Sequence, residues 1–296
     1  MNSLFDKDTW QEIFGSISQN KIRTVITIIG VLWGIFLYIV LSGLAKGVDN
    51  GFEKQFERIS SNSLFIWSQS TSIPYAGFKT SRNWDLKLSD VETLKNNIPE
   101  IQYIAPRIQR GNFGSSGATV VKGTRSGTFN IYGDFPILTT ISTKDIYEGG
   151  RFINELDIKE SRKVCVIGER TQKELFKDNI NPIGNFIKIN NIYFKVIGIH
   201  KYRDEGGGSF DDDGDIHVPF STFKRIYNTG DYVGFLLIAG FDDVDIIAVE
   251  KKIRTQLKKI HKIHPDDKQA VGGFNLGALF TRITSFAKGM SFLSLI

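Results

Sequence analysis

TVITIIGVLWGIFLYIVLSGLA, Thr24 to Ala45, runs for 22 residues without a charge, with Lys21 and Arg23 before it and Lys46 after it. As a helix rising about 1.5 Å per residue it reaches roughly 33 Å, enough for a hydrocarbon core of about 30 Å. Its Val, Ile, Leu and Phe side chains each favour insertion by roughly 0.3–0.6 kcal/mol, which outweighs its glycines and hydroxyls. The stretch reads as transmembrane helix 1, and the lipid bilayer is the first partner the sequence implies. A cleaved signal peptide is the rival, since Gly43-Leu44-Ala45 loosely fits a small-x-Ala site. An apolar core of about 7–15 residues behind a short basic segment would be expected for such a peptide. Here 23 residues precede the run and their charges nearly cancel, which favours a retained anchor.

Lys21 and Arg23 are the candidate residues at the membrane entrance. By the positive-inside rule they place the amino terminus in the cytoplasm and the bulk of the chain outside. Residues 1–23 then form a cytoplasmic amphipathic segment, in which Trp10, Ile13, Phe14 and Ile17 recur at helical steps along the interface. Within the span, Gly30 and Gly34 make a small-xxx-small pattern that lets a second helix approach, so they are the candidate membrane-helix packing residues. Residues 46–61 continue as a stalk helix whose apolar positions, Val48, Phe52, Phe56 and Ile59, lie about four apart.

The net charge of +5 comes from 37 basic and 32 acidic residues spread along the chain. The densest basic run, Lys251-Lys252-Ile253-Arg254 to Lys258-Lys259, falls on an amphipathic helical pattern and reads as its solvated face. No nucleic-acid motif accompanies it, so nucleic acid is not an expected partner. The single cysteine, Cys165, cannot make an internal disulfide, and its apolar setting reads as a buried free thiol.

Residues 62–275 read as an extracytoplasmic core domain, in which about 150–215 could form a second subdomain. Leu64 to Trp67 is a strand, Gln69 to Trp84 a Ser, Thr, Pro and Gly-rich loop, and Ser89-Asp90-Val91-Glu92 a capping box opening a helix through Asn97. Strands follow at Ile101 to Ile108 and Val164 to Ile167, then a helix over Thr171 to Lys177 and a turn at Asn181-Pro182-Ile183-Gly184. Phe186 to Ile189 and Ile192 to Ile199 flank Asn190-Asn191, a two-residue hairpin signal. Asp243 to Ile260 carries a helical apolar stripe. The fold class expected is α+β: one N-terminal transmembrane helix with helical stalks and a mixed α/β core, since strands and helices do not alternate regularly. Residues 276–296 read as a second stalk, with Leu276, Leu279, Phe280, Ile283 and Phe286 on one face, passing into the start of a second span at Met290 to Ile296.

Candidate chemical sites are sparse. Asp211-Asp212-Asp213-Gly214-Asp215 has alternating carboxylates, but the glycine offset and Thr222 at the twelfth position do not fit a calcium loop, and a solvated loop is expected. His261 and His264 read as surface histidines, and His200 and His217 have no visible pairing. No serine or cysteine sits in a nucleophile elbow. The expectation is therefore no catalytic residue, no cofactor and no metal.

Several words nevertheless fit together. Asn20-Lys21-Ile22-Arg23-Thr24 with Gly30 to Gly34, Leu88 to Glu92, Glu148-Gly149-Gly150-Arg151-Phe152, Val164 to Glu169, Asn181 to Gly184, Val196-Ile197-Gly198-Ile199 and Ile216 to Thr222 occur in an order and spacing that resembles the amino-terminal half of MacB-like and FtsX-like ABC transporter permeases. The resemblance implies a permease subunit with further spans, pairing with a second copy or paralogue as a dimer. It also implies a cytoplasmic ABC ATPase subunit as partner, and a periplasmic adaptor or lipoprotein as a further one. The location implied is a bacterial inner membrane with the core domain periplasmic, and the work is efflux, lipoprotein handling or envelope signalling. No G-x-x-x-x-G-K-[ST] phosphate loop occurs in the chain, so it is not expected to be an enzyme and ATP hydrolysis falls to the partner. The alternative function is a single-anchor scaffold whose outer domain docks a partner passively.

Overall fold

A computed structural model describes residues 15, 21–56, 60–110, 117–176, 180–201 and 212–293. The stripe positions Trp10, Ile13, Phe14 and Ile17 of the expected interfacial helix, the stalk position Ile59, the loop 206–211 and the last three residues lie outside the described residues. The chain divides into two compact units, 1–52 with 282–296, and 53–281.

Helix α1 (Lys21–Phe56), most of which belongs to the first unit, is uninterrupted for 36 residues. Its segment Lys21–Val48 is long and apolar enough to cross a membrane. Ile26, Ile29, Leu32, Ile35 and Ile39 expose half or more of their surface, as side chains do when their solvent is lipid.

The second unit is built on an 11-stranded sheet. Its first strands are β1 (Ser63–Ser68), β3 (Ile101–Arg110), β4 (Ala118–Lys122), β5 (Arg125–Phe129) and β6 (Ile131–Asp134). They are followed by β7 (Val164–Gly168), β8 (Phe186–Ile189), β9 (Ile192–His200), β10 (Ile216–Pro219), β12 (Phe235–Gly240) and β13 (Val271–Asn275). Two short strands, β2 (Leu86–Lys87) and β11 (Tyr232–Val233), pair separately. The order in the large sheet is β13-β1-β12-β3-β6-β10-β7-β9-β8-β4-β5. Among the described residues, only β6 with β10 and β7 with β9 run parallel. A mostly antiparallel sheet with helices inserted between strands is the α+β class expected.

Alternation along the strands gives the sheet two different faces. One buries Leu64, Ile66, Ile104, Ile108, Ile216, Val218 and Ile238 under α2 (Leu88–Asn97), α6 (Phe220–Tyr227) and α7 (Ile246–Ile260). Helix α7 contributes Ile246, Val249, Ile253 and Leu257, a stripe with steps of three and four, and Asp245 caps it by accepting from the N–H of Ile247 at 2.9 Å. The basic residues of α7 point away from that stripe; Arg254 pairs with Glu250 at 2.6 Å and Lys252 with Glu100. The other face holds a smaller cluster, Phe65, Ala105, Leu237 and Ala239, against Leu138 and Ile141 of α3 (Leu138–Ile141).

The Asn190-Asn191 hairpin forms as expected. Both residues take positive φ, 43° and 71°, and Ile189 pairs with Ile192. Asparagine tolerates this left-handed region better than other residues with a Cβ. The capping box at Ser89 is corrected. The N-cap is Lys87, two residues earlier, and it is the Asp90 carboxylate at N3 that accepts from the Lys87 N–H at 2.9 Å, while the same oxygen meets His261 Nε2 at 2.8 Å.

Candidate functional site

Both ends of the sheet domain leave the sheet at one place. Strands β1 and β13 are antiparallel neighbours, and Leu64 pairs with Asn275, so the first residues of β1 sit beside the last of β13. Helix α8 (Leu276–Leu293) starts immediately after that pair. Asn275 organises the junction: its Oδ1 accepts the N–H of Ala278 at 2.8 Å, capping α8, and its Nδ2 donates to Glu250 of α7 at 2.7 Å. A Cβ on Gly277 would lie 2.5 Å from Ile246 Cγ2, so α8 begins packed hard on α7. An amphipathic helix read from Leu276, Leu279 and Phe280 is present, and it is anchored at its root.

The second feature is a strap, residues 142–153, laid over the smaller face of the sheet. Tyr147 and Arg151 donate their N–H groups to the carbonyls of Ile199 and Ile197 at 2.9 Å, and Lys201 N–H donates to Asp145 O at 2.8 Å. The crossing needs glycine on both sides: a Cβ on Gly198 would lie 2.4 Å from the Arg151 carbonyl oxygen, and one on Gly150 would lie 2.9 Å from the Gly198 Cα. Gly168 is similarly closed, 2.0 Å from the Asp213 carbonyl oxygen. Ile183 would be 3.2 Å from a Cβ on Gly150. The separate sequence words around Gly150, Ile183 and Gly198 are thus one packed junction, while Gly168 is closed by the Asp213 segment. Arg151 locks it from the side, reaching fully buried Asp157 of α4 (Glu155–Lys159) at 2.5 and 3.0 Å.

Beneath the strap lies a chain of buried charge that the sequence reading missed. Arg107 of β3 meets Asp134 of β6 at 2.6 and 3.2 Å, and Asp134 meets His217 Nδ1 of β10 at 2.7 Å; all three are essentially sealed from solvent. Burial alone would push the Asp134 carboxyl up, but the Arg107 charge and the His217 hydrogen bond hold it below the usual carboxylate range. An ionised carboxylate only accepts, so His217 Nδ1 is the donor. The His200 ring packs edge-on against His217 at 5.0 Å, and His200 Nε2 is 3.0 Å from the Asp215 carbonyl. The expectation that His200 and His217 lack pairing is corrected: they sit on β9 and β10, 17 positions apart in sequence but on strands separated only by β7. A basic, an acidic and an imidazole group on separate strands leave no local spacing signal.

The remaining candidates fall elsewhere. Lys21 and Arg23 are exposed at the start of α1, and a Cβ on Gly30 or Gly34 would meet nothing within 4 Å. Cys165 is fully buried, and burial pushes its thiol up, as expected for a structural cysteine. His261 is not a surface histidine: its ring packs on Trp84 at 4.5 Å and reaches Asp90, while helix α7 has already ended at Ile260, so His261 and His264 share no helix face. Among the described acidic-loop residues, Asp212 and Asp213 face Arg170 of α5 (Glu169–Leu175) at 3.2 and 2.9 Å, and Asp215 accepts from Asn130 at 3.0 Å.

Comparison with known proteins matches this architecture to one family. The family model described as MacB-like periplasmic core domain matches residues 24–256. The chain belongs to that family. A macrolide export ATP-binding/permease protein MacB of Bdellovibrio bacteriovorus is 26% identical over 285 residues, 95% of this chain and 42% of the relative. A pyoverdine export ATP-binding/permease protein PvdT of Pseudomonas syringae pv. tomato is 26% identical over 243 residues, 82% of this chain and 35% of the relative. The solved periplasmic region of MacB from Actinobacillus actinomycetemcomitans aligns with a TM-score of 0.59 at 25% identity, covering 77% of this chain and 95% of that one. The extracellular domain of the noncanonic ABC-type transporter YknZ from Gram-positive bacteria shares the fold, with a TM-score of 0.56 at 16% identity. The MacB-like chain thus spans about two-fifths of the length of the curated relatives it matches.

Proposed function

We propose that this MacB-like chain is part of a permease subunit that couples ATP hydrolysis by a separate cytoplasmic ATPase to movement of its periplasmic domain. The observation that carries the reading is the paired exit at Leu64 and Asn275. The helix that leaves β13, capped by Asn275 and wedged on Ile246, is a lever rooted on the sheet beside the start of β1, so a displacement of its root is applied directly to the sheet. A sheet with a continuously packed core transmits such a displacement as a body, since packed interiors deform little.

Lys21 and Arg23 support a cytoplasmic amino terminus, and Gly30 with Gly34 supports a helix partner within the bilayer, either a second copy or a paralogue. The macrolide and pyoverdine export named for its relatives supports efflux as the work done, with lipoprotein handling and envelope signalling as the other uses of the same movement. No reaction is assigned to the chain's own side chains, and the ATPase is a partner.

The test is to express the complete native reading frame with its candidate ATPase, reconstitute the pair in nanodiscs, and measure the distance between spin labels on the outer domains with and without ATP. Co-purification and an ATP-dependent distance change are expected. Absence of association, with nucleotide-independent distances, would instead make the protein a passive anchored scaffold. Labelling of a cysteine introduced at exposed Lys195 by a membrane-impermeant thiol reagent in intact cells fixes the orientation.

A further inference from the structure

We propose that the open face of β8 and β9 is a docking surface for an extended acidic polypeptide segment that carries large apolar side chains. Ile187, Ile189, Phe194 and Val196 turn into the core, so Phe186, Lys188, Tyr193 and Lys195 necessarily turn outward. Phe186 is 51% and Tyr193 62% exposed, the largest such exposure among the aromatic residues described on the outer sheet. Large apolar side chains placed together in solvent mark contact sites more often than isolated ones do.

The arrangement specifies the chemistry of the occupant. In the antiparallel register Phe186 stands opposite Lys195 and Lys188 opposite Tyr193, so cation and ring alternate along each strand and across the pair. Lys188 Nζ lies 5.6 Å from the centre of the Tyr193 ring. Along each strand the spacing between ring and ammonium is about 7 Å, twice the rise per residue. An extended polypeptide that alternates carboxylate and apolar side chains on one face has the same period. The outward positions on the neighbouring β4 and β5, Thr119, Val121, Ser126 and Thr128, add no carboxylate, so nothing on these four strands opposes an anionic partner.

The strap supplies an end to the surface. Between it and β9 lies a recess of about 530 Å³, walled by Lys195, Ile197, Ile183, Gly149, Gly150 and Arg151. Arg151 is already held by Asp157 at 2.5 and 3.0 Å, so it forms a fixed wall and leaves Lys195 as the charge at the rim. The recess has room for one large apolar side chain beside a carboxylate on Lys195. The inference goes beyond the permease reading and does not depend on it, since the face requires neither ATP nor a second copy.

The experiment uses the complete native protein in nanodiscs of zwitterionic lipid and a fluorescein-labelled random copolymer of glutamate and tyrosine, read by anisotropy. Saturable, salt-sensitive binding is expected, with polyglutamate weaker. Lys188→Glu/Lys195→Glu should weaken it about tenfold or more, and Phe186→Ser/Tyr193→Ser should do so independently while leaving Tm unchanged, since all four side chains stand on the outward face. The proposal is overturned by absent or non-saturable binding, by wild-type affinity in both variants, or by phosphatidylglycerol vesicles binding through this face while the copolymer does not. Loss of ATPase association would bear on the transport reading alone and leave this result untouched.

Discussion

Arg107 and Arg170 each face carboxylates, and the same pairing has opposite consequences in the two places. Arg107 and Asp134 are 2% and 0% exposed at the side chain, whereas Arg170 is 38% exposed and fans out to Asp212, Asp213 and Glu174 in contact with water. In the interior each ion has lost its hydration and depends on its partner; at the surface solvent screens the pair and replaces it at little cost. The contrast teaches that charge pairs in this domain are to be weighed by burial rather than by distance, since 2.6 Å and 2.9 Å differ little.

Four experiments sharpen or break the comparison. The largest effect is expected from Asp134→Ala, which removes the buried carboxylate that Arg107 and His217 meet and should cost about 3–5 kcal/mol in denaturant unfolding. Replacing the pair together, Arg107→Met with Asp134→Leu, should restore most of that loss; if the double variant is as unstable as the single, the burial argument is wrong. Next comes Gly198→Ala, which drives a methyl into the Arg151 carbonyl. Because the obstacle is backbone, a cost of about 3 kcal/mol is expected, with faster hydrogen exchange at the Tyr147 and Arg151 amides of the strap.

A third test uses acid. Asp267 is buried, which alone would raise its carboxyl, but the hydroxyl and N–H of Ser72 with the N–H groups of Ile73 and Ala270 bring it down to about 2. The folded value lies below the unfolded value of about 3.9, so this carboxylate stabilises the fold fully above the unfolded value. That contribution, about 2 kcal/mol, is lost as pH falls from about 4 through about 2. Asp134, also held low, moves stability the same way. Asp267→Asn should flatten the acid limb of stability measured against pH, and an unchanged limb would remove Asp267 from the account. The smallest effect belongs to Arg170→Ala, expected to cost less than about 1 kcal/mol and to shrink further in high salt. A loss as large as that of Asp134→Ala would break the contrast.

Legibility in the sequence followed the range of the signal. The Asn190-Asn191 hairpin, the stripe Ile246 to Leu257 and the strand at Leu64 were readable because the residues that determine them lie within a few positions. Strands β4, β5, β6, β12 and β13 were not singled out. Segments such as Arg125–Phe129 and Val271–Asn275 are polar or glycine-rich and become strands through pairing with β4 and β1. The Arg107–Asp134–His217 chain draws on three strands and was invisible for the same reason. The glycine words around Gly150 and Gly198 were noticed as a resemblance, but their physical basis, two backbones crossing without room for a Cβ, required coordinates.

The sequence by itself determined that Thr24 to Ala45 is a helix for a lipid environment, since 22 uncharged residues satisfy that condition without help from the rest of the chain. It likewise determined the α+β class and the Asn190-Asn191 turn, which depends on neighbours alone. Only the tertiary structure decided that the chain enters and leaves its large sheet at Leu64 and Asn275, that the strap closes over Gly198, and that His217 is bound to Asp134 instead of being free. Those outcomes depend on which strands become neighbours, and strand order is set by the joint burial of both sheet faces, a property that no local window of residues contains.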